Sequence, residues 1–84
     1  MKGIAGSKES NDCLITIETS KKTTIEINSI VGQFFYDQIL KTVEDTLKEQ
    51  NIENVSVIVE DKGALDYTIK SRLLTAIERM KEDV

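Results

Sequence analysis

The chain has 84 residues, a net charge of −4, 39% hydrophobic residues and a single cysteine. That length holds one small core, and its aliphatic content excludes a disordered chain. The lone Cys13 excludes an internal disulfide framework and fits a reducing cytoplasm.

Residues 1–11, with "IAGSKES" at their centre, are small or polar and are expected to be a flexible segment leading into one domain over residues 1–84. From Cys13 the pattern alternates, with Cys13, Ile15 and Ile17 on one parity, which predicts a strand. "TSKK" (19–22) supplies a polar turn, and Ile25 and Ile27 alternate in a second strand, so an antiparallel hairpin is expected. Asn28 or Ser29 is the expected N-cap of a helix whose stripe is Val31, Phe35, Ile39, Val43 and Leu47, widened by Tyr36 and Leu40. Phe34 falls off that stripe and marks a frayed start or a contact surface. Asn51 is a candidate left-handed cap, with Ile52 beyond it to close an apolar contact. Val55, Val57 and Val59 predict a third strand, parallel to the second because a helix links them. "DKGALD" (61–66) then turns the chain into a helix with Leu65, Ile69, Leu73, Ala76, Ile77 and Met80 on one side. These elements predict an α+β two-layer sandwich in the order ββαβα: a small three-stranded mixed sheet packed against two helices, with a flexible N-terminal segment.

Reactive chemistry is scarce. The chain has no histidine, so neither a Ser–His nor a Cys–His pair can activate a nucleophile, and one cysteine builds no thiolate cluster. Cys13 lies on the apolar parity of its strand, as a buried thiol would. "GIAG" (3–6) follows no expected strand, unlike a dinucleotide loop. Glu60, Asp61 and Asp66 lack the alternating spacing of a calcium loop, so no metal is expected. Eight acids against three lysines over residues 37–66 read as a solvated helix face or an acidic docking surface. No clustered Lys and Arg track a phosphate backbone, and no apolar run is of membrane-spanning length, so neither nucleic acid nor membrane is an expected partner. In the "DKGALD" turn, Asp61 is the expected helix cap and Gly63 permits a tight bend, while the open amides of the helix start could hold a phosphate.

"GSKESND" (6–12), the "IEIN" strand (25–28), a long helix, "VSVIVEDKGALD" (55–66) and the "IKSRLL" helix (69–74) together resemble the acyl carrier protein of citrate lyase, its gamma subunit. The resemblance runs over nearly the whole chain, and "DKGALD" followed by "IKSRLL" is its most specific piece. It implies a non-catalytic carrier subunit that holds 2'-(5''-phosphoribosyl)-3'-dephospho-CoA through a phosphodiester to one serine. By position within "GSKESND" that serine matches Ser10. Some relatives have a smaller residue where this chain has Asn11, a difference compatible with a loop. The implied partners are an alpha acyltransferase subunit, which exchanges acetyl for citryl, and a beta citryl lyase subunit, which releases oxaloacetate. A prosthetic-group transferase and an acetylating ligase complete the set, in the cytoplasm. Asp61, Gly63, Asp66 and Arg72 are candidate contacts for the arm or the other subunits. Arg72 otherwise pairs with Glu78 or Asp66 on its helix face.

A carrier serine needs exposure rather than a local base, because the transferase supplies the chemistry. Ser7 and Ser10 both meet that need, and their polar neighbours do not separate them. A small interaction module working through Phe34 and the acidic helix is the alternative of a different class, and the carrier of a malonate decarboxylase complex is a closer one.

Overall fold

The structure is a computed structural model that describes residues 1–30 and 32–83. Four strands, β1 (Lys2–Gly6), β2 (Cys13–Thr19), β3 (Thr24–Ser29) and β4 (Val55–Asp61), form one sheet in the order β1-β2-β4-β3. Helix α1 (Tyr36–Glu49) follows a short 3₁₀ turn at Gly32–Phe34, and α2 (Asp66–Glu82) ends the described chain. β2 runs antiparallel to both β1 and β4, whereas β3 pairs parallel with β4, so the sheet is mixed.

The alternation read from the sequence becomes rows of side chains across the sheet. Register places Gly3, Ile17, Val57 and Ile25 in one row, and Ala5, Ile15, Val59 and Ile27 in the next. The central members of these rows are fully buried, and Ile25 and Ile27 pack against them half-exposed. Helix α2 lies over β1 and β2, and α1 packs against β3 and α2. Ile39, Val43 and Leu47 of α1 meet Ile69, Leu73, Ala76, Ile77 and Met80 of α2 in one core. The expected two-layer α+β sandwich is therefore present, and β3 and β4 have the expected relative direction.

The sheet has four strands where three were expected. Lys2–Gly6, expected within a flexible segment, form an edge strand paired along their whole length with β2. Their inward residues are Gly3 and Ala5, which carry almost no hydrophobic signal. Small size is what this position requires: a Cβ on Gly3 would run into the Ala76 carbonyl oxygen and the Met80 amide of α2. The helix can approach the edge strand this closely only over glycine.

The expected hairpin between Cys13–Thr19 and Thr24–Ser29 does not form, because β4 inserts between these strands and bonds to both. Spanning two inter-strand spacings takes about 10 Å, within reach of the four-residue link 20–23. That link wraps the start of β4: the Ser20 amide donates to the Asn54 carbonyl (2.8 Å), and the Asn54 amide donates to Thr23 Oγ1 (2.9 Å). The hairpin of this fold is β1–β2 instead, closed by the turn Ser7–Asp12.

Helix α1 starts at Tyr36 with Phe35 at its N-cap, later than Asn28 or Ser29 would place it. Phe35 and Tyr36, expected in the buried stripe, are exposed, whereas Phe34 is 89% exposed and projects away from the core as expected. Val31 of the expected stripe lies outside the described residues. At the other end Asn51 is left-handed (φ 55°), its amide donates to Lys48 O, and the Ile52 amide donates to Leu47 O. Those two bonds are the paired closure of a Schellman cap.

Candidate functional site

β1 and β2 deliver a six-residue turn, Ser7–Asp12, to the end of the sheet where β4 passes into "DKGALD". Asp12 is its anchor. Its carboxylate accepts Arg72 Nε at Oδ1 and Arg72 Nη2 at Oδ2, both at 3.0 Å, so the guanidinium is held by its two-pronged edge. Ser7 Oγ donates to Oδ2 (2.7 Å), and the Cys13 amide donates to Oδ1 (2.7 Å). The Arg72 hydrogen bonds, then those of Ser7 and Cys13, lower the Asp12 pKa from 3.8 to about 2. The carboxylate is thus ionised at any physiological pH.

Backbone bonds complete the brace. The Glu9 amide donates to Ser7 Oγ (3.3 Å), and the Asp12 amide donates to the Glu9 carbonyl (3.1 Å). Two further bonds join this turn to the one after β4: Asn11 N–H to Lys62 O (2.8 Å), and Lys62 N–H to Asp12 O (2.9 Å). Asn11 takes a left-handed conformation (φ 65°), which asparagine tolerates better than most residues. Lys8 reaches Glu60 at 3.5 Å. Ser10 sits exposed in the same turn. The two serines, inseparable by their neighbours in sequence, therefore differ here: Ser7 Oγ is built into the turn and Ser10 is an exposed residue.

Asp61 is buried rather than poised on the surface. It ends the core-facing parity of β4, between Cys13 and Ser29 in register. Its Oδ2 accepts Ser29 Oγ (2.8 Å) and its Oδ1 accepts the Ala64 amide (2.9 Å). It caps the turn and not the helix, which begins at Asp66 with Leu65 at its N-cap. The Ala64 amide, one of the donors that could have met a phosphate, is taken by Asp61. Gly63 supplies the left-handed bend (φ 92°), and a Cβ there would lie 3.6 Å from Asn11 Oδ1. Arg72 pairs with Asp12, not with the expected Glu78 or Asp66. Asp66 instead accepts Gln38 Nε2 at 2.7 Å. So Gly63 and Arg72 converge on the Ser10 turn, and Asp61 supports the adjoining turn from within. Asp66 lines a cleft of about 360 Å³ together with Phe35, Ile39, Ala64 and Leu65.

Exposed Phe34, Leu65 and Tyr67, together with the half-exposed rings of Phe35 and Tyr36, surround the starts of the two helices. The exposure of Leu65 departs from the sequence reading, which placed it in the core stripe. Cys13 is fully buried, and burial, reinforced by Asp12 and Asp61, pushes its thiol up to about 12. It is an inert core residue. Among the described residues, no group of three or more Cys, Asp or Glu side chains could hold a metal, and no helix is long and apolar enough to cross a membrane.

Comparison with known proteins puts this geometry in a family. The family model described as "Malonate decarboxylase delta subunit (MdcD)" of the ACP type matches residues 1–80. The citrate lyase acyl carrier protein of Treponema denticola is 44% identical over 79 residues, covering 94% of this chain and 91% of that protein. That of Streptococcus mutans is 44% identical over 78 residues, 90% of this chain and 76% of that protein. Among solved structures, a Pseudomonas malonate decarboxylase hetero-tetramer in complex with malonate contains a chain with the same fold, at a TM-score of 0.82 and 18% identity. The alignment covers 94% of this chain and 82% of that one. The relatives matched over nearly the whole chain are named as acyl carrier proteins. The chain belongs to the acyl carrier protein family that includes the citrate lyase acyl carrier proteins.

Proposed function

We propose that this chain is the acyl carrier subunit of a citrate lyase complex, a single carrier domain over residues 1–84 with its prosthetic group on Ser10. Its 44% identity to a citrate lyase acyl carrier protein over nearly its whole length carries the reading. The exposed Ser10 hydroxyl supports the attachment point, since a bulky adduct there displaces no packing. Ser7 is disfavoured, because modifying it would break its bonds to Asp12 and the Glu9 amide.

The residues present fit 2'-(5''-phosphoribosyl)-3'-dephospho-CoA as a phosphodiester. Attachment makes one O–P bond from Ser10 Oγ and breaks the P–O–P link of an anhydride-activated donor of the group, whose outer phosphate portion leaves as the free phosphate or pyrophosphate anion, while the serine proton passes to the transferase. When bound, the group supplies a terminal thiol on which acetyl and citryl units travel as thioesters. The chain itself holds the anchor, keeps it exposed, and presents it at the end of the sheet. Tethering to a docked subunit raises the local concentration of the acyl unit to roughly millimolar at each neighbouring site. The exposed apolar side chains of Phe34, Leu65 and Tyr67 support docking against partner subunits, here the alpha acyltransferase and beta citryl lyase, in the cytoplasm.

The family description and the malonate decarboxylase fold neighbour favour one second reading, a carrier for a malonate-decarboxylating complex. Loading separates the two: the acetylated chain exchanges its acetyl group for citryl in one case and for malonyl in the other. Attachment is tested by intact mass of the chain produced with its transferase. One phosphoribosyl-dephospho-CoA adduct is expected, lost in Ser10→Ala and kept in Ser7→Ala. An unmodified mass beside an active transferase would return the chain to the class of plain interaction modules.

A further inference from the structure

The bonds around the Ser10 turn are distributed unevenly. The amides of Glu9, Asn11 and Asp12 and the hydroxyl of Ser7 are all committed, and most of these bonds lead to or through Asp12. Asp12 is in turn fixed to α2, sixty residues along the chain, by Arg72. We propose that the Asp12–Arg72 pair is a positioning device that holds the Ser7–Asp12 turn in the one conformation presenting Ser10 Oγ to the transferase. This rests on the reading of Ser10 as the attachment serine.

The other ion pairs among the described residues differ in geometry and exposure. Lys8–Glu60, Lys41–Asp45 and Lys70–Glu49 join side chains that are each at least 36% exposed, and such pairs contribute little. Here the Arg72 side chain is 42% exposed but that of Asp12 only 16%, and the pair is two-pronged. A planar fork fixes orientation as well as distance, which a single ammonium contact does not. The pair is also placed where it has an effect. Asn11, next to Ser10, sits in a left-handed conformation with an intrinsic cost, held by the Lys62 carbonyl and by the anchoring of Asp12. Without Arg72 that conformation becomes one of several, and Ser10 faces the transferase only part of the time.

A role for Arg72 in gripping the phosphates of the incoming group would need it to leave Asp12, stranding a mostly buried carboxylate with the Ser7 hydroxyl and one amide. The two roles diverge in Asp12→Asn: positioning loses the brace, whereas phosphate binding gains a released guanidinium.

The test is transfer of the prosthetic group to the full chain, followed by intact mass over a range of carrier concentrations. A turn that presents Ser10 about a tenth of the time raises the apparent KM for the carrier about tenfold and leaves kcat within about twofold. That split is expected for both Arg72→Ala and Asp12→Asn, with Arg72→Lys between them and wild type. Thermal melts run alongside give the folded fraction at the assay temperature, and a purely structural role would move the melts and leave KM alone. An unchanged KM in Arg72→Ala overturns the proposal. So does a loss in Arg72→Ala with none in Asp12→Asn, the signature of phosphate binding. Should Arg72→Ala be unfolded at the assay temperature, Arg72→Lys and Asp12→Asn decide by the same criterion. Failure of the underlying reading looks different: wild type then takes no adduct, or Ser10→Ala still does.

Discussion

Asp12 concentrates the polar chemistry of the site on one carboxylate, and its acidity records that. Because its pKa falls from 3.8 to about 2 on folding, its contribution to stability is fully present above the unfolded value. The contribution fades as pH falls below that value and is lost through the folded one. Asp12→Asn is therefore expected to be less stable than wild type at pH 7, with the difference shrinking steadily from about pH 4 to pH 2. Urea melts at several pH values measure it, and a difference that ignored pH would assign the loss to shape rather than charge. None of this was legible in the sequence, where Asp12 is one acid in a polar run and Arg72 lies sixty residues away. The signal that could have found them is the resemblance itself, which joined "GSKESND" to the Arg-bearing helix without saying that the two touch. Asp61 continues Val55, Val57 and Val59 at spacing two, although the sequence reading ended the strand before it and gave it the helix cap. Burial of a carboxylate there still depends on Ser29 and Ala64 donating to it, and those partners are set by the sheet order.

At the scale of elements, spacing determined which face of β2, β3 and β4 is buried, while pairing lay beyond it. Alternation in Cys13–Thr19, Thr24–Ser29 and Val55–Asp61 is the same whether the first two form a hairpin or flank the third. The choice falls to the 20–23 link and its bonds to Asn54, which no periodicity encodes. The edge strand β1 was missed because its inward residues are Gly3 and Ala5, chosen for close approach to α2 and not for hydrophobicity. That contact has a sharp consequence. Gly3→Ala forces a methyl against the Ala76 carbonyl and the Met80 amide, so the edge strand or α2 must shift. A loss of about 1–3 kcal/mol is expected from overpacking, read as a lower urea midpoint with an unchanged m-value. A neutral Gly3→Ala would mean that β1 is not held under the helix.

For the whole molecule, the layered core carries an exposed serine at one end of the sheet, which is what the proposed attachment at Ser10 requires. Two helices cover one face of the sheet, and the β1–β2 turn and the β4–α2 turn meet at one end, tied by Asn11 and Lys62. Ser10 projects from that junction, and the apolar surface of Phe34, Leu65 and Tyr67 lies at the starts of the helices. On the proposed reading, a braced turn with an exposed serine suits a carrier whose reach would come from an attached arm and not from a loose chain. The central claim is that citrate turnover passes through Ser10. Its most direct test is citrate cleavage by purified alpha and beta subunits supplied with the modified, acetylated chain. Wild type is expected to release acetate and oxaloacetate together, and Ser10→Ala carried through the same modification to support neither. Equal turnover with Ser10→Ala would contradict the claim.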